Sequence, residues 1–127
     1  MHALAIEGLR SPHVTFWSVW EGEDLVGCGA LKELSADAGE IKSMRTAEAH
    51  RGRGVASRML EHIVEEARRR RYRHLHLDTG SFAEFAPARA LYERFGFTYR
   101  GPFGSYRDDP NSVFMTRALC DEVPERR

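Results

Sequence analysis

The sequence predicts a mixed α/β fold, a sheet with helices on its faces, on three observations. A meander of aromatic and β-branched runs occupies the first third of the chain, a strand–glycine loop–helix–strand unit the middle, and a second helix ending at Gly96 the last third. The first run covers residues 14–20 and its hairpin partner residues 25–31, with Glu21-Gly22-Glu23-Asp24 as the turn. Residues 40–46 make a third strand, with Ile41 and Met44 apolar, and the three strands suit an antiparallel meander.

The clearest helix follows. Val55, Met59, Leu60, Ile63, Val64 and Ala67 recur at helical spacing, while Glu61, His62, Glu65 and Glu66 take other faces. Residues 72–79 alternate, with Leu75 and Leu77 on one side and His74, His76 and Asp78 on the other, as a strand does. Strand, helix and strand predict a right-handed parallel crossover. Residues 85–95 form the next helix, with Pro87 in its first turn and Gly96 as its stop. Residues 97–100 and 112–119 are strands flanking a turn-rich stretch. Residues 1–10 carry a weak apolar helical face that Ser11-Pro12 ends, and the tail from Asp121 is polar.

Composition narrows the function classes. The 127 residues suit one domain, and 42% hydrophobic with 30% charged residues is an ordinary globular balance. No apolar run approaches the length of a membrane span and no secretory leader pattern opens the chain, so a cytoplasmic protein without a membrane partner is expected. Nineteen basic residues balance nineteen acidic ones, which speaks against a nucleic-acid partner. The arginine run at residues 68–71 falls at a helix C-terminus, where solvated cations favour the dipole. Cys28 and Cys120 make neither a disulfide framework nor a metal signature, and His74 and His76 lack a third ligand, so no metal is assigned.

The loop Arg51-Gly52-Arg53-Gly54-Val55-Ala56 carries the chemistry. Between a strand and an amphipathic helix, its backbone amides and the helix dipole suit an anion, and its glycines let that anion approach. It lacks both the Gly-Lys-Ser/Thr ending of a P-loop and the third glycine of a dinucleotide fingerprint. By itself it is equally a tight turn beside solvated arginines.

Arg51-x-x-Gly54-x-Ala56 resembles the pyrophosphate loop of the GNAT acetyltransferase superfamily. The segment from Ala88 through Leu91-Tyr92 to Gly96-Phe97 is similar to that superfamily's Ala-x-x-Leu-Tyr-x-x-x-Gly-Phe helix end, at the separation the superfamily uses. The resemblance implies a GNAT-like mixed, mostly antiparallel sheet with a central parallel β-α-β crossover and helices on both faces, filling residues 1–120 as one domain with a polar tail at 121–127. It implies an N-acetyltransferase that moves an acetyl group from acetyl-CoA, as co-substrate, to a primary amine of a small molecule. A protein or peptide acetyltransferase and a non-catalytic acyl-CoA-binding module are the alternatives it leaves, and a nucleotide-phosphate binder is the reading outside it.

By position, Met44, Arg45 and Thr46 would line the pantetheine arm, with the Met44 amide a candidate oxyanion donor. Arg51, Gly52, Arg53, Gly54, Val55 and Ala56 would hold the pyrophosphate. Tyr92 would serve the leaving thiolate as general acid, and Glu40 is the first candidate base, with Asp78 and His50 in reserve. Residues 103–111 are the candidate specificity loop. Two departures stand out. Phe85 occupies a place where the family helix often has asparagine. The segment that opens a typical member, a strand and a helix, has no counterpart here, so an open sheet edge is expected; a truncated start, a naturally shortened fold and a homodimer that covers the edge are the explanations left open, with oligomerisation the prediction.

Overall fold

Apolar residues that alternate in a strand and recur at 3.6 in a helix meet here on one side of a sheet. The computed structural model describes residues 4–119, in the order β1 (Leu4–Arg10), β2 (Val14–Glu21), β3 (Asp24–Ser35), β4 (Ala38–Thr46), α1 (Val55–Arg69), β5 (His74–Gly80), α2 (Ala86–Arg94), β6 (Thr98–Arg100) and β7 (Ser112–Ala118). The seven strands form one sheet, β1-β2-β3-β4-β5-β7-β6. All neighbours are antiparallel except β4 and β5, the parallel pair that α1 connects. The expected polar tail at 121–127, and Cys120, lie outside the described residues.

The expected helix at residues 1–10 is overturned over residues 4–10, the part of it that is described. Residues 4–10 are a strand, paired with β2 from Leu4 opposite Glu21 to Arg10 opposite Thr15. The helical face was weak, whereas Leu4 and Ile6 alternate onto the core and Gly8 lets the Trp17 ring lie against the backbone. Cross-strand pairing therefore outweighs a marginal local preference. It also covers the outer side of β2, leaving β1 as the edge of the sheet.

The core explains the rest. All six apolar positions of α1 named above are buried, together with Leu31, Ile41, Leu75, Leu77 and Met115 from the sheet. Each large aliphatic side chain buried this way contributes about 1.5–3 kcal/mol. Gly29 lets α1 come close, because a Cβ there would stand 2.8 Å from Met59. Leu91 and Tyr92 of α2 join the same cluster. Both described helices thus share one face, and the expectation of helices on both is corrected. The other face carries Glu40, Lys42, His76 and Phe114, covered in part by residues 101–111 through Phe103 and Tyr106. At β1–β3 that second face leaves Leu9 and Phe16 exposed, 75% and 40%.

One arginine of the 68–71 run is not solvated as expected. Arg70 bonds Glu66 at 2.8 Å and donates to the Thr15 hydroxyl at 2.7 Å, clasping the end of α1 to β2.

Candidate active site

β4 and β5 begin together and then part. They pair from Ala38 opposite His74 to Ile41 opposite Leu77, beyond which β4 runs on to Thr46 and β5 to Gly80 without pairing. A bulge in β4 accompanies the parting. The register against β3 jumps from Cys28–Arg45 to Ala30–Lys42, so Ser43 and Met44 face one residue, and Ser43 takes φ 57°. A bulge re-aims the backbone and frees it from its ladder. The result is a cleft of about 1010 Å³, lined by residues 41–46, by the glycine loop and the start of α1, by Asp78, Thr79 and Gly80, and by Phe85, Leu91 and Tyr92 of the second-helix region.

The loop end of the cleft is built for an anion. Gly52 and Gly54 take φ 78° and 83°, a region that penalises side chains, and a Cβ on either would meet nothing within 4 Å. The first helical bond runs from the Arg58 amide to the Gly54 carbonyl at 3.0 Å, so the amides of Val55, Ala56 and Ser57 precede the helical ladder. Arg51 donates its Nε to the Thr46 carbonyl at 3.4 Å, bracing the loop on β4. The Arg53 side chain turns instead to His50 at 3.2 Å and Glu21 at 3.7 Å and does not line the cleft.

At the other end, Tyr92 is 6% exposed, lines the cleft and packs edge-on against Phe97. Burial alone pushes its hydroxyl up to about 12, so it stays protonated at neutral pH. Phe85 also lines the cleft, its ring lying on Gly80, where a Cβ would collide with it. Arg89 donates to the Gly80 and Phe82 carbonyls at 2.6 and 3.0 Å and fixes α2 to the end of β5.

The candidate bases separate. Glu40 is 2% exposed, is absent from the cleft lining, and accepts a hydrogen bond from Tyr106 at 2.6 Å. An amine in the cleft has no direct approach to it. Asp78 does line the cleft, and desolvation raises its carboxyl above the usual range, opposed by Ser112 and the Lys42 charge. His50 lines the loop end, 3.8 Å from Glu21.

Met44, Arg45, Thr46, Arg51, Gly52, Gly54, Val55, Ala56 and Tyr92 are brought together around the cleft, and Glu40 and the Arg53 side chain are not. Sequence reasoning missed the Ser43 bulge and the Lys42 and Tyr106 contacts. One signal for the bulge was present, since the apolar residues Ile41 and Met44 are three apart where a regular strand requires two.

The chain and its fold also resemble known proteins. The family model for the acetyltransferase (GNAT) family matches residues 2–97. The Uncharacterized N-acetyltransferase YsnE of Bacillus subtilis (strain 168) is 60% identical over 119 residues, covering 94% of this chain and 79% of its own length. A solved Klebsiella pneumoniae structure, assigned as an acyl-CoA N-acyltransferase, superposes with a TM-score of 0.83 at 26% identity over 92% of this chain and 98% of its own. An Elizabethkingia anophelis GNAT family acetyltransferase solved with acetyl-CoA bound shares the fold, with a TM-score of 0.75 at 15% identity over 91% and 98%.

Proposed function

The chain belongs to the acetyltransferase (GNAT) family, and from that premise we propose that it transfers an acetyl group from acetyl-CoA to a primary amine of a small molecule. The observation that carries this reading is the parting of β4 and β5 beside the open amides of the glycine loop. The pyrophosphate lies on the amides of Arg51 to Ala56 and the pantetheine arm along Met44, Arg45 and Thr46, with the thioester in the gap between the strands. That the Elizabethkingia neighbour holds acetyl-CoA supports the choice of donor.

The amine enters from the sheet face that bears Lys42 and Asp78. Asp78 accepts a proton from the ammonium, and the neutral amine attacks the thioester carbonyl. The Met44 amide, re-aimed by the bulge, donates to the oxyanion of the tetrahedral intermediate. Tyr92, neutral at working pH, gives its proton to the sulfur as the C–S bond breaks, and the proton that the attacking nitrogen sheds as the intermediate collapses restores the tyrosine.

Calorimetric titration with acetyl-CoA, with ATP as the control, tests the reading. Micromolar binding of acetyl-CoA, no binding of ATP, and loss of binding in Gly54→Glu are expected, because the new carboxylate would occupy the place of the pyrophosphate. Gly54→Ala, which carries the same φ strain without the charge, keeps binding. ATP competing as well as acetyl-CoA would replace the proposal with a general nucleotide site. Acetyl-CoA binding without turnover of any amine would leave an acyl-CoA-binding module.

A further inference from the structure

Given the acetyl transfer proposed above, we infer that Glu40, Lys42 and Tyr106 form a polar latch that fixes residues 101–111 as one wall of the acceptor site. Glu40 is then a positioning residue and Tyr106 a determinant of acceptor specificity.

A carboxylate as buried as Glu40 needs partners, since an isolated buried charge is among the costliest groups a fold can hold. Its partners converge on one atom. Glu40 Oε2 accepts the Tyr106 hydroxyl at 2.6 Å and lies 3.6 Å from Lys42 Nζ, while Lys42 Nζ donates to the Tyr106 oxygen at 3.3 Å. The triangle uses the single proton of the tyrosine on Glu40 and a lone pair on Lys42. Nothing in it is arranged to take a proton from an incoming amine.

What the triangle does is join distant parts of the chain. Tyr106 lies between β6 and β7 in a stretch without helix or strand. A turn from the Tyr106 amide to the Phe103 carbonyl at 3.1 Å shapes that stretch. Phe103 is buried, with ring centroids 5.0 Å from His76, 5.1 Å from Tyr106 and 5.8 Å from Phe114. The aromatic cluster gives the loop a foot on β5 and β7, and the latch gives it one on β4. Lys42 couples the latch to the site, because the same residue is part of the cleft lining. Releasing Tyr106 therefore frees the loop and Lys42 together, on the side where the amine must arrive.

Hydrogen–deuterium exchange across residues 101–111 tests the latch without any need for activity. A charge-assisted hydrogen bond is worth about 1.5–3 kcal/mol, so Glu40→Gln and Tyr106→Phe should each speed exchange there by about 10- to 100-fold, and the double variant no further. Unchanged exchange in Tyr106→Phe, an isosteric change, overturns the latch even if Glu40→Gln fails to fold. So do effects that add in the double variant.

Turnover of acetyl-CoA with phenethylamine, spermidine and lysine as probe acceptors tests the role. Tyr106→Phe and Glu40→Gln should raise the acceptor KM and alter the preference among the probes while keeping kcat and the acid limb of the pH profile. A loss of kcat in Glu40→Gln together with that limb would make Glu40 the base and overturn the assignment. Absence of turnover in the wild type removes the acetyl transfer and the acceptor wall with it, and the exchange result still decides the latch.

Discussion

Tyr92 and Asp78 are the two ionisable side chains whose environments suit opposite tasks in one cleft. Burial keeps the tyrosine neutral far above working pH, and desolvation lifts the carboxylate toward it. Tyr92→Phe should lower kcat by about 100-fold and leave acetyl-CoA affinity unchanged, as steady-state rates and calorimetry would show. As the proposed base, Asp78 works only when ionised. Its raised pKa means that the rate falls, on acidification, at a higher pH than an ordinary carboxylate would give, and Asp78→Asn should abolish that limb along with most of kcat. A pH–rate profile in which Asp78→Asn retains the limb would assign it to another group.

Between β3, β4 and α1, the sheet is shaped by what it lacks. Gly29 of β3 faces the Ser43–Met44 bulge of β4 and leaves room for the Met59 and Met44 side chains, which a Cβ would meet at 2.8 and 3.0 Å. Gly29→Ala should either push α1 outward or displace Met44. The expected outcome is a loss of about 1–3 kcal/mol in urea unfolding and a weaker acetyl-CoA affinity, whereas a change on the outer surface of α1, such as Glu61→Ala, should do neither. The elements themselves were legible in sequence wherever period and punctuation agreed. α1 was read from six apolar positions at helical spacing, and α2 from Pro87 and Gly96. Residues 4–10 form a strand where a helix is expected because four scattered apolar side chains in the first ten residues fit a helix and a strand almost equally, and only pairing with β2 separates the two. The Ser43 bulge was not read as such, since an extra residue in one strand is defined only by the register of its neighbour.

For the molecule as a whole, stability should respond to acid through its histidines. His62 packs edge-on against Trp17 with centroids 5.0 Å apart, and desolvation depresses both it and His76 below the usual 6.5. With the folded pKa depressed, the unfolded chain binds more protons as pH falls through 6.5, so stability present above that pH is lost on the way down. Asp78, with its raised pKa, acts in the opposite sense at lower pH. The urea midpoint should therefore drop between pH 7.5 and 5.5, and His62→Phe, which preserves an aromatic contact with Trp17, should reduce that drop. A midpoint constant over this range would show that neither histidine loses its packing on protonation. Among the described residues no helix is long and apolar enough to cross a membrane.

The sequence by itself determined the layered α/β plan, the parallel crossover, the glycine loop and Tyr92. Each rests on local information: a period of 2 or 3.6, a glycine where the backbone must turn, a motif whose spacing is counted along the chain. The tertiary structure decided which of Glu40 and Asp78 lines the cleft, which side of the sheet the helices share, and what holds residues 101–111. Those outcomes depend on contacts between residues far apart in the chain. Glu40 and Asp78 are both polar residues on adjacent strands, and only the approach of Tyr106, 66 residues from Glu40, seals the one while the parting of β4 and β5 opens the cleft beside the other.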